Sequence, residues 1–456
     1  MSQNMKTSPQ EILEGPILKT LIRLSVPIIL AFVFHTGFNF VDRLFVSKLG
    51  DVPFAALGMA FTVQMIMISI GAGLGVGTSS LIARLVGAQK IRDANRAADQ
   101  ALFLVLLLAV IFTLGGPPLV RPFFQKMGAS DAMLPHVVDY TTVILYGAFF
   151  QFFAMIGGGI LRGEGDTITP MMMMTVGTVV NIALDPLLIF GIGPFPRMGV
   201  QGAAVATVIA RAVSCVLLAF SFRAQRNVVK PAFKIFALHR QLLAGILLVG
   251  GPAVLAQILH PVTMGLMFFL LKTYGDASKA ALTLNITYQQ VAILPVIGLA
   301  AGSLTMAGQN YGARRFHRLR GITVQANMTS AILLIVMATI FIVGSTPFVK
   351  VFSQDADVIG IGATLLIISS VSLPFVGARI LIASILQGFG MGGRSLILNA
   401  NQVILAVPLA LGMSRLFGLN GIWWGVTAGN TISAIIAMIW VRIILRQFDG
   451  NRPGNA

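Results

Sequence analysis

The run ILKTLIRLSVPIILAFVFHTGFNFVDRLFV, residues 17–46, decides the class of fold. It is mostly apolar and is longer than the roughly 20 residues with which a helix spans a lipid bilayer. Residues 1–16 are polar and include Glu11 and Glu14, whereas a cleavable signal peptide begins basic and then turns apolar. We therefore expect a first membrane-spanning helix here and no signal peptide before it.

The composition of the whole chain agrees with a membrane protein. Of the 456 residues, 56% are hydrophobic and only 10% are charged, whereas soluble domains carry about a quarter charged residues. A soluble globule needs a polar shell, so this much apolar surface must face lipid. The composition excludes a soluble enzyme, a disordered scaffold and a nucleic-acid binder. The single cysteine, Cys215, excludes an intramolecular disulfide, and we expect neither a cofactor nor a metal site.

Further apolar runs predict the fold class. We expect an all-α polytopic membrane protein with twelve transmembrane helices in two pseudo-symmetric six-helix bundles. Prolines inside several runs predict kinks that face protein. The twelve runs cover residues 17–46, 54–83, 98–120, 135–160, 168–192, 200–222, 241–271, 280–308, 322–345, 359–386, 395–415 and 421–446.

The basic residues predict the orientation in the membrane. With the N-terminus in the cytoplasm, 21 of the 32 lysines and arginines fall on cytoplasmic segments and eight on the opposite side. Basic residues concentrate on the cytoplasmic side of membrane proteins, so we expect both termini in the cytoplasm. The formal net charge of +17 is therefore a signal of topology and not of nucleic-acid binding.

The two halves of the chain resemble each other. A shift of 225 residues places ILRGEG at 160–165 on ILQGFG at 385–390, and Pro27 on Pro252. The shift holds without a gap from residue 27 to 165; later the second copy lacks six residues. Each half has an even number of spans, so both should have the same orientation, which is typical of transporters. The predicted parts are an N-terminal lobe (1–222), a cytoplasmic basic linker (223–240) and a C-terminal lobe (241–456).

Two acids inside predicted spans are the strongest candidates for a functional site. Asp42 follows Asn39 by three residues, and Asp185 follows Asn181 by four, so each acid shares a helix face with an amide. An ionisable group at membrane depth is costly and usually functional. Neither acid has a counterpart in the second repeat. The alternative is a structural ion pair with a nearby arginine, Arg43 for Asp42 or Arg211 for Asp185.

Four other polar residues could support such a site. His35 and His260 occupy equivalent positions in the two repeats and could relay protons, although a neutral buried histidine bonded to a backbone carbonyl is the more common situation. Tyr140 and Thr207 lie on the fourth and sixth spans. Each alone is a weak signal of a substrate or supporting position.

Three motifs resemble the multidrug and toxic compound extrusion (MATE) transporters. They are NFVDRLFVSKLG at 39–50, GILRGEGD at 159–166 and NIALDP at 181–186. The resemblance covers the whole chain and implies an exporter of organic cations or amphipathic drugs in the cell inner membrane, associated with antibiotic resistance. It also implies that Asp42, Asn181 and Asp185 form the coupling site described for the DinF-like branch. At the position where a relative with a C-lobe sodium site has an acid, this chain has His260.

The resulting hypothesis is an antiporter that exports lipophilic cations by alternating access, coupled to inward flow of protons or, less favoured, sodium. Its expected partners are a small-molecule substrate, the coupling ion and membrane lipid, with no nucleic acid. One alternative is a lipid-linked saccharide flippase of the same superfamily, for which Arg43, Arg211 and Arg379 would supply positive charge. Another is a membrane-embedded enzyme, although no paired His/Asp motif lies in a loop at the membrane surface.

Overall fold

The computed structural model describes the backbone of residues 7–223, 227–234 and 236–450, and their side chains except at 35, 38–44, 260 and 449–450. Its first ten helices are α1 (Pro9–Glu14), α2 (Ile17–Ser47), α3 (Asp51–Gly87), α4 (Ile91–Val110), α5 (Pro117–Lys126), α6 (Leu134–Tyr146), α7 (Ala148–Phe152), α8 (Gly158–Glu164), α9 (Ile168–Phe190) and α10 (Val200–Phe222). The later helices are α11 (Arg240–Leu270), α12 (Gly275–Gly312), α13 (Phe316–Val343), α14 (Ser345–Lys350), α15 (Ala356–Val371), α16 (Leu373–Gly388) and α17 (Gly392–Gly450).

The helices confirm an all-α membrane protein. In the part of the chain described, nine helices are long and apolar enough to cross a membrane, and two bent helix pairs raise that number to eleven. Helix α17 is 59 residues long and is interrupted by non-helical backbone at Gly418. Division of α17 at Gly418 gives two spans where the sequence predicts them, and this brings the number among the described residues to twelve.

Two spans bend strongly, the fourth at a position where no proline lies and the tenth beside a proline, as the sequence predicts. The fourth span bends by 59° between α6 and α7, at Gly147, and a π-helical turn at Phe153–Gly157 precedes α8. The tenth span bends by 48° between α15 and α16, with Pro374 in the first turn of α16. By contrast, Pro186 lies inside the continuous helix α9.

Backbone dihedral angles repeat with the same spacing as the sequence. Gln89 and Arg314, 225 residues apart, adopt φ values of 59° and 56°, a left-handed conformation uncommon outside glycine. Positive φ also recurs in three glycine pairs, two at the spacing of 225 and one at the later spacing of 219. These pairs are Gly50 and Gly275, Gly165 and Gly390, and Gly199 and Gly418. The repeat in sequence is therefore a repeat in backbone conformation.

The chain forms two compact units. Unit 1 contains Met1–Pro9 and Leu30–Val254, and unit 2 contains Gln10–Ile29 and Leu255–Ala456. Helices α2 and α11 each contribute to both units. The bounds of the predicted lobes, 1–222 and 241–456, stay a prediction.

Small residues allow close helix packing inside unit 1. A Cβ atom on Gly159 of α8 would lie 2.5 Å from the carbonyl oxygen of Gly75 on α3, so the two backbones touch directly. The GILRGEGD motif therefore has a packing role at its first residue. Helix α3 also carries much of the buried surface of this unit.

Candidate transport site

Helix α9 places a buried carboxylate and a buried amide side by side. Asn181 Nδ2 donates a hydrogen bond to Asp185 Oδ1 over 2.9 Å, and the side chains are 2% and 0% exposed. The spacing of four residues puts them on one face of the helix. The amide donor orients the carboxylate, which can take up a proton or bind a cation in this low-dielectric surrounding.

Helix α10 packs closely along α9 and covers this face. Ser214 Oγ donates to the carbonyl oxygen of Met173 over 2.9 Å. A Cβ atom on Gly202 would lie 2.5 Å from the carbonyl oxygen of Leu188. The two contacts hold α9 against α10 on both sides of Asp185 along the chain.

The other polar candidates of unit 1 are also buried. Tyr140 on α6 is 3% exposed, and Thr207 on α10 is 7% exposed. Gln64 Nε2 on α3 donates to the Tyr140 hydroxyl over 3.0 Å, a partner that the sequence alone did not indicate. Tyr140 therefore belongs to a polar contact between α3 and α6.

For four predicted site residues, the side chains lie outside the part of the protein that the structure describes. They are Asp42, Asn39 and His35 on α2 and His260 on α11. Their backbone is helical. Their proposed roles stay predictions from the sequence, and the geometry of the candidate site is that of Asn181 and Asp185.

Sequence reasoning missed a set of polar side chains that hold the linker. Glu164 Oε2 accepts the backbone N–H of Val229 over 2.8 Å, and Asp99 Oδ1 accepts that of Phe233 over 2.9 Å. Glu164 and Asp99 are each 4% exposed. The signal in the sequence was an acid at the end of a predicted span, which is usually a solvated position.

Comparisons with known proteins identify the family. The sequence model described as MatE matches residues 27–187 and 252–411, which is more than half of the chain and one match in each repeat. The chain belongs to the MatE family. It is therefore a membrane transporter of the multidrug efflux family and not an enzyme. The resemblance to the MATE transporters is confirmed, and membership of the DinF-like branch stays a prediction.

Individual relatives of this MatE protein cover nearly its full length. An FAD transporter of Shewanella oneidensis is 28% identical over 93% of this chain and 94% of its own. The multidrug export protein MepA of Staphylococcus saprophyticus is 26% identical over 94% and 95%. A solved transporter of the MOP superfamily from Pyrococcus furiosus superposes with a TM-score of 0.90 at 31% identity, over 97% of this chain and 99% of its own. The binding pocket of that Pyrococcus furiosus transporter has a reversed polarity.

Proposed function

We propose that this MatE transporter is a secondary antiporter that exports organic cations or amphipathic drugs by alternating access, driven by inward flow of protons. The observation that carries the proposal is the hydrogen-bonded pair of Asn181 and Asp185, which is buried on α9. A carboxylate in a low-dielectric site attracts positive charge. A proton and a cationic substrate can therefore compete for Asp185.

The proposed mechanism uses this competition. When Asp185 is ionised, a lipophilic cation gains electrostatic energy beside it. Protonation from the acidic outer face removes that energy and releases the cation. We propose that Asp42, with Asn39, contributes a second carboxylate, so that the two acids titrate as a coupled pair.

The distribution of acids in unit 2 favours protons over sodium. Sodium is a hard cation that requires several oxygen ligands. Asp276, at the start of α12, forms an ion pair with Lys279 at 2.8 Å. Asp355 caps α15 by accepting the backbone N–H groups of Asp357 and Val358. These carboxylates lie at helix ends, where they already pair with a lysine or cap the helix. We therefore propose the acids of α2 and α9 as the coupling groups.

A second candidate is export of a flavin nucleotide. The FAD transporter of Shewanella oneidensis is similar over nearly the whole chain. The lipid-linked saccharide flippase is a weaker alternative that would also require positive charge for phosphate. We propose the cell membrane as the location of the protein for each candidate, with both termini in the cytoplasm, as the basic residues predict.

The test of coupling is efflux of rhodamine 123, a cationic dye, from proteoliposomes with one ion gradient at a time. We expect a pH gradient without sodium to drive efflux. Efflux under a sodium gradient at matched pH, together with none under the pH gradient, would overturn proton coupling.

A further inference from the structure

A buried arginine in unit 2 is not used by the proposed cation mechanism. Arg379 on α16 is 6% exposed. Its Nη1 donates to Asn399 Oδ1 on α17 over 2.7 Å, while its Nε–H has no hydrogen-bond partner among the described residues. A buried guanidinium with a neutral amide for a partner is energetically costly, and at membrane depth such a group is expected to be functional.

The acids of unit 2 do not neutralise this guanidinium. Among the side chains described in unit 2, the ion pairs join Glu11 to Arg23, Glu14 to Arg315, and Asp276 to Lys279. The remaining described acids are at the start of α15, where Asp355 is the helix cap. Among the described residues, Arg379 therefore has no carboxylate partner for its positive charge.

The surrounding contacts hold Arg379 in a fixed position. Asn399 Nδ2 donates to the carbonyl oxygen of Ser395 over 2.9 Å, which turns the amide oxygen of Asn399 towards the guanidinium. Gln387, two helical turns after Arg379, donates to Ser395 Oγ over 3.0 Å. The α16–α17 contact is thus a line of polar side chains that orients the guanidinium.

The repeat shows that the lobe fold does not require this charge. At the spacing of 225 residues, the position of Arg379 corresponds to Ala154. Conversely, the sequence aligns Asp185 in the first repeat with Ala410 in the second, at the spacing of 225. The first repeat thus carries a buried acid, and the second carries a buried base.

We propose that Arg379, oriented by Asn399, is an anion-binding site that takes a phosphate or carboxylate group of the substrate. The Nε–H and one Nη–H of a guanidinium lie along one edge and match two oxygens of an oxyanion. The amide of Asn399 occupies Nη1 only. The site rests on the transport function of the protein, but not on the identity of its coupling ion.

Two matched pairs of fluorescent probes test the site by direct binding to the purified full-length protein. Riboflavin 5′-phosphate and riboflavin differ by the phosphate, and rhodamine 110 and rhodamine 123 differ by a free carboxylate against its methyl ester. We expect the anionic member of at least one pair to lose about tenfold or more in affinity in Arg379→Gln, because charge-assisted hydrogen bonds are lost. The neutral riboflavin and the ester rhodamine 123 should bind with unchanged affinity. The pair that responds identifies the group as phosphate or carboxylate.

A second variant keeps the test independent of folding. Asn399→Asp is nearly isosteric and places a carboxylate against Arg379, so the two form an ion pair and the melting temperature should not fall. We expect the same loss of anion binding as in Arg379→Gln. Arg394→Gln, which removes an exposed charge on α17, is the matched control and should bind both pairs normally.

Unchanged anion binding in Asn399→Asp would overturn the site and leave Arg379 a structural contact between α16 and α17. Equal loss in Arg394→Gln would also overturn it, because the effect would then be one of surface charge. Efflux of rhodamine 123 under a pH gradient, in wild-type proteoliposomes, reports separately on the proposed antiport. If that efflux fails while anion binding is intact, proton-driven cation export is rejected and the anion-binding site at Arg379 stands.

Discussion

Asn181 Nδ2 and Asp185 Oδ1 lie 2.9 Å apart on consecutive turns of α9, and both side chains are buried. The same spacing was visible in the sequence, because residues four apart share a helix face. The close packing of α10 on α9 was not visible there, since it depends on which helices meet. A buried acid that accepts a hydrogen bond from a buried amide is therefore the group whose neutralisation should matter most.

Asp185→Asn should abolish substrate efflux while the protein still inserts and purifies as a monodisperse species. Asparagine has nearly the same shape as aspartate, but its amide neither takes up nor gives up a proton at physiological pH. Drug tolerance of cells that lack their own pumps measures the effect. Asp131→Asn, which alters an exposed acid of unit 1, is the control and should retain tolerance. Wild-type tolerance with Asp185→Asn would contradict the coupling role, and failure to fold would favour the structural ion pair.

Loss of the buried Glu164 carboxylate, which accepts a backbone N–H of the linker, should free the linker for proteolysis. Glu164→Ala leaves the buried N–H of Val229 without its partner, at a cost of about 1–3 kcal/mol. We expect trypsin to cut after the exposed Lys234 roughly tenfold faster than in the wild type. Glu164→Gln keeps an acceptor oxygen and should be cut at an intermediate rate. Equal cleavage rates in all three proteins would show that Glu164 does not hold the linker.

A fall in pH should loosen the contact between α1 and the rest of unit 2. The hydrogen bond from Arg315 holds the pKa of Glu14 below its ordinary value of 4.5. Because the folded-state pKa is lowered, the contribution of Glu14 is present above 4.5 and is lost as the pH falls through the folded-state value. Hydrogen exchange near the buried Ile12 measures the opening of α1.

We expect exchange at Ile12 to accelerate between about pH 5 and about pH 3 after correction for the intrinsic rate. Glu14→Gln should exchange faster at neutral pH and should show a smaller dependence on pH. A variant with the same pH dependence as the wild type would assign the effect to other groups.

The sequence predicted the elements well because the membrane imposes strong patterns. Apolar runs long enough to span lipid appear as helices, and the repeat spacing reappears in the backbone of Gln89 and Arg314. The positions of bends were less predictable. The fourth span bends at Gly147, which has no proline beside it, because local packing decides whether a helix turns.

The candidate site was only partly predictable, for a related reason. Asp185 was identified because a charge in an apolar run is conspicuous. The linker acceptors Asp99 and Glu164 were not, since their partners are backbone N–H groups more than sixty residues away. Contacts between distant segments leave no periodic trace in one sequence.

Close packing of α3 and α8 gives a final prediction about stability. Gly159→Ala should lower the melting temperature of the purified protein, because the added Cβ would lie 2.5 Å from the carbonyl oxygen of Gly75. Both atoms belong to packed helices, so the backbone must move, at a cost of about 1–3 kcal/mol or more. Gly58→Ala on α3 is the matched control, since nothing lies within 4 Å of its added Cβ. At Gly58, replacement of a helical glycine by alanine should leave the stability unchanged or raise it by up to about 1 kcal/mol. Equal melting temperatures for the two variants would contradict direct backbone contact between α3 and α8.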